Sequence, residues 1–284
     1  MIKKICLTLM VTVFAMTFFA APVLAADSGE QRVTLGADLN ASQIAEIYSD
    51  FNIERGDVKE LFVTNTEERE YLSGLVPDEK IGKNALSSIF ITTLDEGSGI
   101  SVTTKNINWC TEDMYINALS TAGIADASII VSAPFEVSGT AALTGIYKAY
   151  SDITGIPLSE LSKAAATEEL ITTGELADVI GSDQAVEVVN ELKKILDKTR
   201  TMTDEELRKE ILYIADVQNV ALTEENISQI IGLSRTLEKL DFTDWQNRLI
   251  KMGKTIGKVQ KANDGISSFF DSIKNFFTKI GQLF

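Results

Sequence analysis

The chain has 284 residues, of which 41 are acidic and 26 are basic, so its formal net charge at pH 7 is −15. This acidic balance argues against nucleic-acid binding, which requires a basic surface. The chain contains no histidine, which excludes Ser-His-Asp and Cys-His nucleophile systems together with histidine-ligated zinc and haem. Hydrophobic residues make up 45% of the chain, enough to build a sizeable core without disulfides.

The N-terminal segment, residues 1–25, has the three parts of a secretory signal peptide. Lys3 and Lys4 give a positive start, an apolar run follows to Phe19, and a small-residue pattern ends at Ala25. A retained membrane anchor is the alternative, but the apolar run is shorter than the roughly 20 residues that a spanning helix needs. We therefore expect an exported protein, either secreted or associated with the cell envelope. After cleavage only Cys110 remains, so no intramolecular disulfide is expected.

Helix and strand signals alternate over the first half of the chain. The predicted elements are a helix capped by Asn40 and Gln43, a strand at residues 58–64, a helix from Thr66, strands at residues 86–94 and 100–107, a helix capped by Thr111, and a strand that includes residues 129–131. The two strands before Thr111 are predicted to form a hairpin, and Pro134 is expected to end the pairing of the last strand. From residue 58 the order strand, helix, strand, strand, helix, strand is that of a ferredoxin-like layer. The predicted fold class is therefore α+β.

Three features of this half look like sites but have simpler structural explanations. Glu67, Glu68 and Glu70 could form a metal or acid-base cluster, but a solvated helix start explains such a run of acids. The loop at residues 95–99 lacks the further spaced oxygen ligands of a calcium site. Cys110 precedes a helix, where a thiol pKa can be lowered, but no basic residue is near it in sequence, and we predict a structural thiol. No metal, no cofactor and no catalytic residue is predicted.

The turn at Ser138, Gly139 and Thr140 is the candidate ligand-binding site of this half. It lies between the buried strand at residues 129–131 and a helix that carries Ile146 on its apolar face. Backbone N–H groups at such a helix start can hold an anion. The glycine and lysine pattern of a phosphate loop is missing, so ordinary helix capping is the alternative.

Strand signals stop after Pro157, and the rest of the chain is predicted to be helical. Periodicity predicts them at residues 158–172, 183–198, 203–219 and 223–240. Thr203 and Glu206 form a capping box. Acid pairs such as Glu168 and Glu169 could suggest a glycosidase, but a glycosidase needs two carboxylates that face each other across a cleft. These acids are expected to be solvated at helix starts or on polar faces.

The tail differs from the rest of the chain in charge and in pattern. From Trp245 onwards it holds seven basic and two acidic residues, and an apolar face recurs every seven residues. That face consists of Ile266, Phe269, Phe270, Ile273, Phe276, Phe277, Ile280, Leu283 and Phe284. Two interpretations remain open. The face could pack on the protein's own helices or on a second copy, or it could lie in a membrane surface with lysines near the lipid phosphates.

Five segments carry a resemblance to a known family. They are VTLGADL at residues 33–39, GLVP at 74–77, GSGISV at 97–102, MYINAL at 114–119 and APFEVSGTAALTG at 133–145. In this order they resemble the YpuA-like secreted proteins of Gram-positive bacteria, the domain of unknown function 1002 family. The resemblance covers most of the chain up to about residue 240. It implies export and an envelope or extracellular setting, and it brings no catalytic residues.

The expected protein is a secreted, non-catalytic envelope or extracellular protein that works through interactions. Its predicted parts are the signal peptide at residues 1–25, an α+β domain at 33–155, a helical domain at 156–242 and a basic amphipathic helical tail at 243–284. A carboxylate-dependent hydrolase of cell-wall glycans and small-anion binding at residues 138–140 are the alternatives. A membrane surface or a protein partner is expected at the C-terminal helix, and self-association is open.

Overall fold

One five-stranded mixed sheet organises the first half of the computed structural model, which describes residues 28–72 and 81–240. The strands are β1 Gln31–Gly36, β2 Lys59–Val63, β3 Ser88–Thr93, β4 Ile100–Ile107 and β5 Ala127–Val137. Their order in the sheet is β2-β1-β3-β5-β4. β1 is parallel to β2 and β4 is parallel to β5, whereas β3 is antiparallel to both β1 and β5. Four strands therefore run in one direction, and β3 runs against them.

The helices divide into a set that accompanies the sheet and a set that follows it. The first set is α1 Ala41–Phe51, α2 Asn65–Leu72, α3 Glu112–Ala122 and α4 Thr140–Thr154. The second set is α5 Glu160–Ile180, α6 Ser182–Lys194, α7 Leu196–Thr199, α8 Asp204–Val217 and α9 Glu224–Leu237. Within the described residues every strand precedes α4. The α+β fold class predicted from the sequence is therefore confirmed.

The middle residues of β3 and β5 are apolar on both faces because helices cover both sides of the sheet. Ile129 and Val131 of β5 belong to a core that also contains residues of α3, α4 and α5. Phe90 of β3 faces the opposite side, where Phe51 of α1 packs on it with 5.9 Å between the ring centroids. Ile130, directly opposite Phe90 in the register, packs against the same cluster. A strand buried on both faces reads as a continuous apolar run, as residues 129–131 do.

The predicted hairpin between residues 86–94 and 100–107 is wrong. β5 lies between β3 and β4, so these two strands do not pair, and the ferredoxin-like pairing is not formed although the chain order is as predicted. β4 alternates between buried Val102 and exposed Ser101 and Thr103, whereas β5 is apolar on both sides. The apolar strand gains more from the centre of the sheet, and a strand with exposed polar side chains suits the edge.

The expectation that Pro134 ends the pairing of β5 is also wrong. β5 loses its partner β3 after Ser132, and β4 is irregular at Asn106 before pairing resumes at Val137. Asn106 has a φ of 59°, and its Nδ2 donates to the carbonyl oxygen of Ala133 at 2.7 Å. Neither neighbour pairs regularly with β5 around the proline, so its missing N–H is not needed there.

Helix starts follow the local sequence closely, whereas helix lengths do not. The capping boxes predicted at Asn40 and Thr203 are both present. The helix predicted to end near residue 172 continues to Ile180, and the next predicted helix is interrupted at Ile195. No described helix is long and apolar enough to cross a membrane. The predicted signal peptide and tail helix lie outside the described residues.

Candidate functional site

A cavity of about 470 Å³ opens at the edge of the sheet where the four co-directional strands end. β4 and β5 are parallel neighbours, so the loop that starts at Asn108 and the turn at Ser138 lie side by side. Glu68 of α2 and residues 81–84, 86 and 87, which lead into β3, also line the cavity. Ligand sites of open α/β sheets occupy this edge, and their volumes are roughly 300–1,000 Å³.

The turn between β5 and α4 is held in one conformation by α3 and the loop before it. Gly139 has a φ of 95°, and a Cβ added there would lie 2.5 Å from the hydroxyl oxygen of Tyr115. The Tyr115 hydroxyl donates to the carbonyl oxygen of Gly139 at 2.6 Å. The N–H of Cys110 donates to the carbonyl oxygen of Ser138 at 3.0 Å. Only glycine fits this position, because both the backbone angle and the available space exclude a side chain.

The three predicted residues of the turn come together on the cavity wall, but they do not cap the helix with a side chain. α4 begins after Gly139 without a side-chain hydrogen bond at its cap. Thr140 instead donates its hydroxyl to Oε1 of Glu68 at 2.6 Å. Ser138 Oγ lies 3.3 Å from Thr140 Oγ1. Side-chain capping therefore does not explain this arrangement, in which the Thr140 hydroxyl bonds to a carboxyl from another helix.

That carboxyl, Glu68, is buried, with 1% of the residue exposed. Its Oε1 accepts from Thr140, and its Oε2 accepts from Nδ2 of Asn65 at 3.3 Å. Burial raises the pKa of Glu68 to about 7, and the two hydrogen bonds and Arg69 oppose the rise while Asp38 adds to it. Near neutral pH a large fraction of this carboxyl is therefore uncharged.

The prediction of a solvated acidic helix start is wrong for Glu68. Its neighbours are placed differently, since Glu70 is exposed and Glu67 pairs with Lys148 at 2.5 Å. Glu68 lies four residues before Leu72, which is buried, so the two share the inner face of α2. The sequence does not distinguish this acid by spacing alone, because Glu67 lies four residues before Tyr71 just as Glu68 lies four residues before Leu72.

Trp109 forms part of the cavity wall, and no motif in the sequence points to it. The residue is half-buried, and its indole packs on α5 at Gly174. A Cβ added at Gly174 would lie 2.5 Å from Cζ2 of the indole, so this glycine is what allows the close approach. The contact joins residues that are far apart in the chain, and no local sequence pattern predicts it.

Two further candidate residues, Cys110 and Glu169, are buried in contacts with other parts of the protein. Cys110 is buried, beside the turn that it helps to hold. Glu169, expected to be solvated, is buried in an ion pair with Lys193, so that expectation is wrong. Within residues 28–72 and 81–240, no group of three or more acidic or cysteine side chains is arranged to hold a metal ion.

The fold and the cavity define an α+β protein with a mixed five-stranded sheet, a helical second half and a site of small-ligand size. The family model for proteins of unknown function DUF1002 matches residues 35–252, and the chain belongs to this family. It is 38% identical over 259 residues to the uncharacterized protein YpuA of Bacillus subtilis strain 168. The match covers 90% of this chain and 86% of that protein. No solved structure matches the chain. The family predicted from the five sequence segments is thus confirmed.

Proposed function

We propose that this chain is an exported protein of the cell envelope or the extracellular space that binds a small ligand without converting it. The cavity at the end of β4 and β5 is the observation that carries the proposal. Its floor holds a buried carboxyl, Glu68, which is bonded to Thr140 of the predicted turn. A buried ionisable group beside a cavity of this size is the usual mark of a binding or active site.

Binding is favoured over catalysis by the side chains that the chain offers. Histidine, the commonest acid-base and nucleophile-activating residue, is absent from the sequence. Glu68 already accepts hydrogen bonds on both oxygens, from Thr140 and Asn65. Such a carboxyl is suited to hold a ligand in one orientation, since its own orientation is determined by its neighbours.

Export is the second part of the proposal, and it is supported by the signal-peptide pattern that ends at Ala25. The expected native protein begins at Ala26. Intact-mass measurement of the protein from its producing cells tests this directly, and a retained Met1 in cell-associated material would contradict it.

Attachment to a membrane surface is the third part, and the tail supports it. Seven basic residues in the tail oppose the acidic balance of the whole chain, and the phenylalanine-rich face repeats every seven residues. A basic amphipathic segment lies in the boundary between headgroups and acyl chains, and each nearby lysine adds about 1 kcal/mol of attraction to an anionic surface.

A thermal-shift screen of the chain from Ala26 tests the binding proposal. The compounds are neutral, anionic and cationic small molecules, and the variant Asn108→Trp places a large ring at the rim of the cavity, where Asn108 is exposed. The control is Lys209→Trp, an equally large change on an exposed position of α8, which does not line the cavity.

At least one compound should raise the melting temperature of the parent and of Lys209→Trp, and the shift should be lost in Asn108→Trp. Mass spectrometry should recover that compound unchanged. The binding proposal fails if no compound shifts the parent, or if Asn108→Trp responds like the parent. Conversion of the compound would show that the protein is an enzyme.

A further inference from the structure

We infer, on the basis of the proposed binding function, that the ligand of this cavity is an uncharged saccharide-like molecule held between Thr140 with Glu68 and the indole of Trp109. Three properties of the described lining residues support this ligand class: their charges, their hydrogen-bonding groups and the aromatic side chain of Trp109.

The charges around the cavity argue against an ionic ligand. Among the described lining residues, Glu68 and Glu136 are acidic and Lys83 is basic. An anion would meet Glu136, which is exposed at the cavity. A cation would meet Lys83, which is also exposed there. A neutral ligand is repelled by neither side chain.

The polar groups of the lining match hydroxyl groups, which donate and accept at the same atom. The Thr140 hydroxyl donates its hydrogen to Glu68 and so offers a ligand an acceptor, and the Ser87 hydroxyl can donate and accept. Asn84 and Asn108 are exposed at the cavity and add amide donors and acceptors. A ligand with several hydroxyls uses such a mixed set better than an ion of one sign does.

The side chain of Trp109 suits the apolar faces of a sugar ring. Trp109 lines the cavity, and its indole packs on Gly174 of α5, which restricts the rotation of the side chain. A sugar ring presents C–H groups on its faces and hydroxyls at its edges. A fixed indole buries apolar area at little entropic cost, because few rotamers of that side chain are lost on binding.

The test uses the fluorescence of Trp109. The chain has two tryptophans, so Trp245→Phe makes Trp109 the only reporter. The parent for the titrations is this chain from Ala26, and the neutral probes are N-acetylglucosamine, its β-1,4-linked dimer, glucose and maltose. Inorganic phosphate and spermidine serve as the anionic and cationic comparisons.

The variants distinguish a loss of ligand binding from a loss of folding. Thr140→Val removes one hydroxyl at nearly constant shape. Glu70→Gln changes an exposed acid on α2, outside the cavity lining, and is the control. Urea unfolding of each variant establishes that it is folded at the titration temperature.

A saturable fluorescence change with at least one saccharide is expected, weakened at least tenfold in Thr140→Val and less than threefold in Glu70→Gln. Saccharide binding that Thr140→Val leaves unchanged would overturn the inference, since the ligand would then lie elsewhere. A response to phosphate or spermidine alone would overturn it while leaving cavity binding intact. Silence with every probe would overturn it as well, and the thermal-shift screen then decides separately whether the cavity binds anything.

Discussion

Glu169 of α5 and Lys193 of α6 form an ion pair inside the protein, with 2.6 Å between Oε1 and Nζ. Their side chains are 1% and 5% exposed. Thr121 of α3 completes the cluster, since its hydroxyl donates to Glu169 Oε2 at 2.5 Å and accepts from Lys193 Nζ at 3.0 Å. Three helices therefore meet at a polar cluster whose members bond to one another, as buried charges require.

Removing one partner of this pair should be strongly destabilising. Lys193→Met leaves the Glu169 carboxylate buried without its cation, and we expect a loss of about 3–5 kcal/mol in the free energy of unfolding. The double variant Glu169→Leu with Lys193→Met should recover most of this loss, because no uncompensated charge remains. Urea unfolding monitored by circular dichroism measures both.

The control for this pair is Lys209→Ala, which removes an exposed lysine 4.0 Å from Glu205 on α8. An exposed pair of this kind contributes less than about 1 kcal/mol. If Lys193→Met costs no more than Lys209→Ala, the buried pair is not formed as described.

Two helical glycines should respond in opposite directions to the same substitution. Gly174→Ala brings a methyl group to within 2.5 Å of the Trp109 indole, and this overpacking should cost about 1–3 kcal/mol. At Gly232 in α9 the nearest atom to an added Cβ is Glu168 Oε1 at 3.7 Å. Gly232→Ala should therefore stabilise by up to about 1 kcal/mol through helix propensity. Equal gains at both positions would show that Trp109 does not pack on α5.

Glu68 should make the protein less stable as the pH rises from about 4.5 to 7. Its pKa is raised from 4.5 to about 7 on folding, so in this range the native state binds more protons than the unfolded state. The contribution is fully present below pH 4.5 and is lost as the pH rises through 7, a change of about 3 kcal/mol. Urea unfolding at pH 4.5, 5.5, 7 and 8 measures this slope.

The same series in Glu68→Gln should show a flatter pH dependence, with the largest stabilisation relative to the parent at pH 8. Glu70→Gln, on the exposed side of α2, should keep the parent's slope. A slope that is identical in the parent and in Glu68→Gln would mean that the carboxyl does not retain its proton in the native state.

The membrane part of the proposal predicts pelleting with anionic liposomes at low salt. Deleting residues 263–284, or changing Phe270 and Phe277 to Ser, should abolish pelleting and leave the circular dichroism and melting of the rest unchanged, because the apolar face is lost. Changing the same two residues to Leu is the control that keeps an apolar face. An intact protein that stays in the supernatant contradicts membrane attachment, and unfolding on truncation would show that the face belongs to a core.

Much of the local structure could be predicted because its causes lie within a few residues. Asn40 with Gln43 and Thr203 with Glu206 form the predicted capping boxes, since each box joins an N-cap to the third residue after it. The apolar run around Ile130 becomes a doubly covered strand for the same local reason. These signals were enough for the α+β class, whereas the family was indicated by the resemblance of five sequence segments.

The site was only half predictable, because the missing half comes from contacts between distant residues. The turn at Gly139 could be located in the sequence, but the acid that bonds to Thr140 comes from α2, and the indole beside it is held by α5. β5 likewise lies between β3 and β4 because burial of both faces under helices stabilises this apolar strand most. Caps and turns depend on neighbours in sequence, whereas strand order, the burial of Glu68 and the shape of the cavity depend on how the whole chain packs.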